Sequence, residues 1–169
     1  MKQPILFLKG LTLIELLVAV AVIAILLAIG VPSYNMLFDR DRLKGGSSAL
    51  YFMLNLSKTE SIKRNGDIYL KITAGQNWCV GTNEGDAVCD CNSKGSCDIA
   101  ALSHNEYKNL TLLSNYSAPY YDRVRGSFNE PDGLFKLQSQ SAGEVRLKVN
   151  ALGSVRICGV AGVLGLNAC

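Results

Sequence analysis

The chain has 169 residues, 49% of them hydrophobic, and a formal net charge of +3. That length holds one domain plus a segment, and that charge excludes a protein held to nucleic acid by bulk electrostatics. Six cysteines fit an oxidising compartment.

Residues 1–10 read MKQPILFLKG, short and basic through Lys2 and Lys9. From Leu11 to Val31 the sequence is LTLIELLVAVAVIAILLAIGV, in which Glu15 alone is charged. As a helix this run extends roughly 30 Å, the thickness of a bilayer core. A membrane-spanning helix over 11–31 is therefore expected. A carboxylate in such a span costs about 2.5–3.5 kcal/mol on insertion scales, which marks Glu15 as a functional residue in need of a partner. An ordinary secretory signal is cut after its apolar stretch at small residues. Ala28 and Gly30 fit that role poorly with Pro32 so close. Cleavage after Gly10 instead leaves the apolar helix on the mature chain, beginning at the free amine of Leu11. In an assembly, that amine is a cation for Glu15 of a neighbouring subunit. Removal of the leader also takes two of the 17 basic side chains, leaving 15 against 14 acidic ones.

Lys9-Gly10 followed by Leu11-Thr12-Leu13-Ile14-Glu15-Leu16-Leu17 resembles the class III signal of type IV pilins and type II secretion pseudopilins. The resemblance implies a prepilin peptidase that cuts after Gly10 and methylates the amine of Leu11, where the family more often has Phe, and a single-pass bacterial inner-membrane placement with a periplasmic head. Pro32 also falls where many pilins carry a helix-disrupting proline.

Residues 32–66 are expected to continue the helix as its soluble half, with a bend at Pro32 and a weak point at Gly45-Gly46. Asp39, Arg40, Asp41, Arg42 and Lys44 read as a solvated segment near the membrane surface. Leu50, Met53, Leu54 and Ile62, widened by Phe52 and Leu56, form the stripe that packs on a sheet. Asn65-Gly66 is the helix stop.

Residues 67–169 read as a β-rich head. Asp67–Ile72 and Trp78–Gly81 are expected to form a hairpin, followed by the polar loop NEGDAVCDCNSKGSCD. Asn109–Leu113, Arg123–Phe128 and Leu134–Gln138 read as short strands. Val145, Leu147 and Val149 alternate, as do Val155 and Ile157, with Ala151-Leu152-Gly153 as the connection. Gly159–Cys169 is a small-residue tail without a regular period. A long helix followed by antiparallel strands is an α+β order.

Within the pilin group the chain resembles the GspH/FimT branch. Ser57-Lys58-Thr59-Glu60-Ser61-Ile62-Lys63-Arg64-Asn65-Gly66 is similar to that branch's helix end, and the Trp78-Cys79 pair and the closing Gly-x-Val-Arg strand also match. The resemblance implies a head of sheets packed on the soluble half of the helix. Six cysteines allow 15 pairings. Cys158 with Cys169 is the natural pair to tether the tail. Cys79, Cys89, Cys91 and Cys97 are then expected to pair either as Cys79–Cys89 with Cys91–Cys97 or as Cys79–Cys91 with Cys89–Cys97. A zinc site from these four is not favoured, because no C-x-x-C spacing occurs and His104 is the only histidine. No metal or cofactor is expected.

Nothing in the inventory points to catalysis. His104 lies in a polar Ser-His-Asn-Glu stretch and reads as a surface residue. No nucleophile elbow, phosphate loop or dinucleotide glycine pattern is present, and Asp86, Asp90 and Asp98 lack EF-hand spacing. The expected function is a non-enzymatic minor pilin or pseudopilin subunit. It would meet other pilins through the N-terminal helix, and would enter or prime a type IV pilus or type II secretion pseudopilus. The alternative is DNA capture for natural transformation. Some FimT-like minor pilins use a Gly-Arg-x-Arg motif for it. Here the matching positions are Gly153-Ser154-Val155-Arg156 and Gly143-Glu144-Val145-Arg146, which lack the first arginine. Arg123, Arg125, Arg146, Lys148 and Arg156 are the candidate DNA contacts. Strand alternation alone accounts for such solvent-facing charge, so DNA is the less favoured partner.

Overall fold

The computed structural model describes residues 12–86, 89–93 and 95–169, and their side chains except those of 29–33 and 161–162. Cleavage and methylation at Gly10 and Leu11 thus lie outside the described residues. Thr12 caps the first element: its Oγ1 accepts the N–H of Glu15 at 3.3 Å, satisfying one of the donors a helix start leaves open. Helix α1 (Leu13–Arg64) runs through Gly45 and Gly46. The bend expected at Pro32 falls among the side chains not described.

The chain divides into two compact units, the first ending at Met36 and the second comprising Leu37–Cys169. In the first unit the apolar side chains of α1 stand exposed on every side, from Leu13 (79%) and Ile14 (66%) to Leu26 (64%) and Leu27 (60%). The membrane-spanning helix expected over 11–31 is corrected here. Among the described residues no helix is long and apolar enough to cross a membrane. The apolar beginning of α1 carries a charge, Glu15, in its first turn, which counts against insertion. The transmembrane assignment and the single-pass inner-membrane placement fall with it.

The second unit is a helix packed on an antiparallel head. Strands β1 (Ile68–Thr73), β2 (Cys79–Glu84), β3 (Ala100–Ser103) and β5 (Tyr120–Tyr121) form one sheet in the order β3-β2-β1-β5. Strands β4 (Leu110–Ser114), β6 (Phe135–Ser139), β7 (Gly143–Val149) and β8 (Val155–Gly159) form the other, in the order β4-β6-β7-β8. Every pairing is antiparallel. A 3₁₀ helix, Val160–Gly165, follows β8. It gives the tail, expected to be irregular, a turn that sets Val163, Leu164 and Leu166 against the core.

The two sheets are joined at specific points. Gly75 and Leu112 exchange both backbone hydrogen bonds, at 2.8 and 3.2 Å. The fully buried Trp78 donates its indole N–H to the carbonyl of Leu110 at 3.0 Å. Tyr121 of β5 also bridges Phe128, which lies outside both sheets. The core collects Leu43, Leu50 and Leu54 of α1 with Ile68, Val80, Leu112, Phe135, Leu137, Val145 and Leu147 of the sheets, each essentially without solvent exposure.

The buried face of the helix is not the stripe the periodicity suggests. Leu50, Met53 and Leu54 are buried, but Phe52 (68%), Ile62 (48%) and Leu56 (43%) face solvent. Ser47, Ser57 and Ser61 take their places, each at most 2% exposed. Their hydroxyls donate to the helix's own carbonyls, Ser57 to Met53 at 2.8 Å and Ser61 to Lys58 at 2.8 Å. A small, internally satisfied side chain lets the helix sit close to the sheet without an orphaned polar group. Gly46 serves the same purpose: a methyl group there would lie 3.0 Å from Leu110 Cδ1 and 3.2 Å from Leu137 Cδ2. The glycine pair marks a close approach, not a break. The helix ends as the sequence suggests. Asn65 adopts φ +52°, and the N–H of Gly66 reaches the carbonyl of Ser61 at 3.2 Å, a left-handed cap.

The strand expected over Arg123–Phe128 is a turn. Asp122 Oδ1 accepts the N–H groups of Val124 and Arg125 at 2.9 and 3.1 Å, and Gly126 N–H closes on the Asp122 carbonyl at 2.9 Å. An aspartate capping the two following residues builds a turn that outcompetes apolar alternation.

Candidate assembly helix and basic sheet face

The residues singled out by the sequence lie in three places. Glu15 stands exposed in the first turn of α1, flanked by exposed Ile14 and Leu16.

The second place is the disulfide layer. Cys79 is bonded to Cys91, Cys89 to Cys97 and Cys158 to Cys169. The first two stack on Gly81 in the middle of β2. The third fastens the tail beside the edge strand β8, where Gly159 and Ala168 form a parallel bridge and Gly159 N–H donates to Asn167 at 3.0 Å. An edge that would otherwise present free backbone groups is thereby covered. Among the described residues no group of three or more His, Cys, Asp or Glu side chains could hold a metal ion.

The third place is the outer face of the β4-β6-β7-β8 sheet. Register partners across β7 and β8 set Lys148 opposite Arg156, and those across β6 and β7 set Lys136 opposite Arg146. Lys148 and Arg156 are exposed, Lys136 and Arg146 half-buried. Glu144 shares this face: its Oε1 accepts from Arg146 Nε at 2.5 Å, and Gln138 donates to its other oxygen. Burial pushes the Glu144 carboxyl up, but Gln138, Arg146 and Lys136 together hold it below the ordinary glutamate value. Arg123 and Arg125 do not share a strand face as expected. They sit in the Asp122 turn, where Arg123 is engaged by Asp67, its backbone N–H at 2.9 Å and its Nε at 3.6 Å from Oδ1. Lys136 was the residue sequence reasoning missed. Its signal was the alternation of β6, with Phe135 and Leu137 inward and Lys136 outward.

Two further side chains tie the helix to the head. Glu60 accepts from Arg64 Nε at 2.6 Å and Lys63 Nζ at 3.1 Å, and Arg64 reaches Glu84 of β2 at 3.5 Å. Asp39, expected in a freely solvated segment, accepts from the Ser141 hydroxyl, from Asn109 at 3.4 Å and from Arg42 at 3.5 Å. The Ser141 hydrogen bond first, then Asn109 and Arg42, hold its carboxyl below the usual aspartate value. His104 is half-buried; its backbone N–H donates to the carbonyl of Trp78 at 2.9 Å.

A long helix with an acid in its first turn and an apolar, uncovered beginning, joined to a disulfide-bonded antiparallel head, defines a pilin-like subunit. The comparisons agree. The prokaryotic N-terminal methylation motif matches residues 9–31, and the model for type II transport protein GspH matches residues 47–161, more than half of the chain. The chain belongs to the GspH family. It is a non-enzymatic subunit of the pilin and pseudopilin kind, and the motif and family support prepilin peptidase and other pilins as its partners. The fold is similar to that of the type IV minor pilin FimU of Pseudomonas aeruginosa. The TM-score is 0.53 at 14% identity, over 70% of this chain and 89% of that one. A second crystal form of FimU aligns with a TM-score of 0.49 over 68% and 90% of the two chains, also at 14% identity. At that identity the likeness is one of fold.

Proposed function

We propose that this chain is a minor subunit that enters or primes a filament, either a type IV pilus or a type II secretion pseudopilus. The observation that supports this is the apolar beginning of α1, whose described side chains are exposed on every side, whereas the second unit has its own buried core. Apolar surface that wide needs a cover, and neighbouring helices of the same kind supply one. In this reading the leader is cut after Gly10, and Glu15 pairs with the methylated Leu11 amine of the adjacent subunit. A mis-stepped subunit would bury an unpaired charge, at a cost of several kcal/mol, so the pair sets register. The head then carries no chemistry and offers surfaces to neighbouring heads.

The test is the yield of filaments sheared from cells lacking the gene, compared with a complemented strain. A sharp loss supports the pilus form of the reading. Normal piliation with defective secretion moves it to the pseudopilus, and no defect in either overturns it.

DNA capture is the second reading. It draws support from one observation: Lys136, Arg146, Lys148 and Arg156 are register neighbours on one sheet face. Glu144 within that face, already paired with Arg146, weakens it.

A further inference from the structure

We propose that the head reaches its disulfide pairing only by way of a thiol–disulfide isomerase, which is thus a maturation partner of this chain. The four cysteines over Gly81 are interlaced: along the chain the first is bonded to the third and the second to the fourth. The native bonds span 12 and 8 residues. The adjacent alternative, Cys79–Cys89 with Cys91–Cys97, closes shorter loops. Loop closure favours the shorter loop, so an unfolded chain has no reason to select the native crossing. Selection comes from the fold alone. β2 must first lie between β1 and β3, because only then does bare Gly81 offer the surface on which the sulfurs settle. A methyl group at Gly81 would lie 2.5 Å from Cys97 Sγ, 2.8 Å from Cys89 Sγ and 3.0 Å from Cys91 Cβ. Oxidation that precedes this packing traps the adjacent pairing, and the trapped chain must be reshuffled.

The reshuffling is redox-neutral and requires one catalytic thiolate, which is returned. The thiolate attacks Cys97 Sγ of the mispaired Cys91–Cys97 bond, forming a mixed disulfide and releasing the Cys91 thiolate. Cys91 attacks Cys79 of the Cys79–Cys89 bond, forming Cys79–Cys91 and releasing the Cys89 thiolate. Cys89 attacks Cys97 of the mixed disulfide, forming Cys89–Cys97 and expelling the catalyst. Two disulfides enter and two leave. Cys97 is also the accessible member of the set once folded: it is half-buried, whereas Cys79, Cys89 and Cys91 are 1%, 3% and 6% exposed. Cys158–Cys169 joins consecutive cysteines and needs no such step.

The experiment is oxidative refolding of the reduced full-length chain in mild detergent. A dithiol oxidase is used alone or together with protein disulfide isomerase. Cleavage before Asp86 and Asp90 and after Lys94 places the four cysteines on separate peptides for mass spectrometry. The expected result is that the oxidase alone yields Cys79–Cys89 with Cys91–Cys97 as the main species, and that the isomerase converts it to the native pairs. Native pairing by the oxidase alone, at the same rate and yield, overturns the proposal. The Cys89→Ser/Cys97→Ser double variant leaves only consecutive pairs and should form Cys79–Cys91 equally well without the isomerase. A persistent requirement for the isomerase in that variant also overturns it.

Discussion

Gly81 and Cys97 are in such close approach that a single added methyl on the glycine would sit 2.5 Å from the cysteine sulfur. The sheet is thus built around an absent side chain, and two crossed disulfides occupy its place. Gly81→Ala should force the 85–98 loop off β2 at a cost of about 1–3 kcal/mol, the usual range for overpacking. Urea unfolding of the oxidised chain checks this. An unchanged midpoint would mean that the loop shifts freely and that the disulfide layer is not packed on the sheet.

Trp78 is the largest side chain fully inside the head, and it hydrogen-bonds across from one sheet to the other. Trp78→Phe keeps most of the apolar volume but leaves the Leu110 carbonyl buried without its donor. The expected loss is about 1–3 kcal/mol. Because this is the only tryptophan, the comparison is made by circular dichroism and not by fluorescence.

Asp39 joins the helix to the start of β4 and to the β6–β7 turn through Asn109 and Ser141. The Ser141 hydrogen bond leads in lowering its carboxyl below the ordinary value of 3.8. A carboxyl lowered in the folded state stabilises fully above its unfolded pKa, and that contribution disappears as the pH falls through the folded one. Stability should therefore be flat above about pH 5 and decline on further acidification. Asp39→Asn should be less stable than wild type at pH 7, with the gap closing as the pH falls through the lowered folded value. A gap that persists at low pH would show that the asparagine fails for steric reasons and not through the lost charge.

The parts of this architecture that were legible in advance are those where one physical signal dominates. β7 alternates so regularly that its inward Val145, Leu147 and Val149 could be read directly, and all three are fully buried. Asn65-Gly66 stopped the helix for the conformational reason expected. By contrast, β3 and β5 have four and two residues, too few to show a period, and exist because longer neighbours recruit them. The helix face was misjudged because hydrophobicity pointed to Phe52 and Ile62, whereas close packing selected Ser57 and Ser61. The apolar beginning of α1 carried a length signal that suggested a membrane span, whereas among the described residues no helix is long and apolar enough for one. The choice between the two disulfide pairings was invisible because it depends on how the cysteine loop settles over Gly81 in the folded sheet.

Glu15→Ala should leave the head untouched, since Glu15 lies in the first unit and the core lies in the second. Under the filament reading, the variant is processed normally and its head melts as wild type, yet it is missing from sheared filaments. The measurement is immunoblotting of sheared and cell fractions. Wild-type incorporation would remove the charge pair with the Leu11 amine from the mechanism, while leaving the apolar helix as the assembly element.

The basic face separates the two functional readings quantitatively. If Lys136, Arg146, Lys148 and Arg156 grip a phosphate backbone, binding to duplex DNA must weaken steeply with salt. The log–log slope should be about −3 to −4 for four phosphate contacts, and Arg156→Ala should reduce it by about 0.9. Arg146→Ala should matter less than Arg156→Ala, because Arg146 is already held by Glu144 at 2.5 Å and Arg156 has only Lys148 opposite it in the register. Glu144→Gln would then strengthen binding by releasing Arg146. If no DNA is retained at low salt, or the slope does not change when Arg156 is removed, these cations are a solvated sheet face and the assembly reading stands alone.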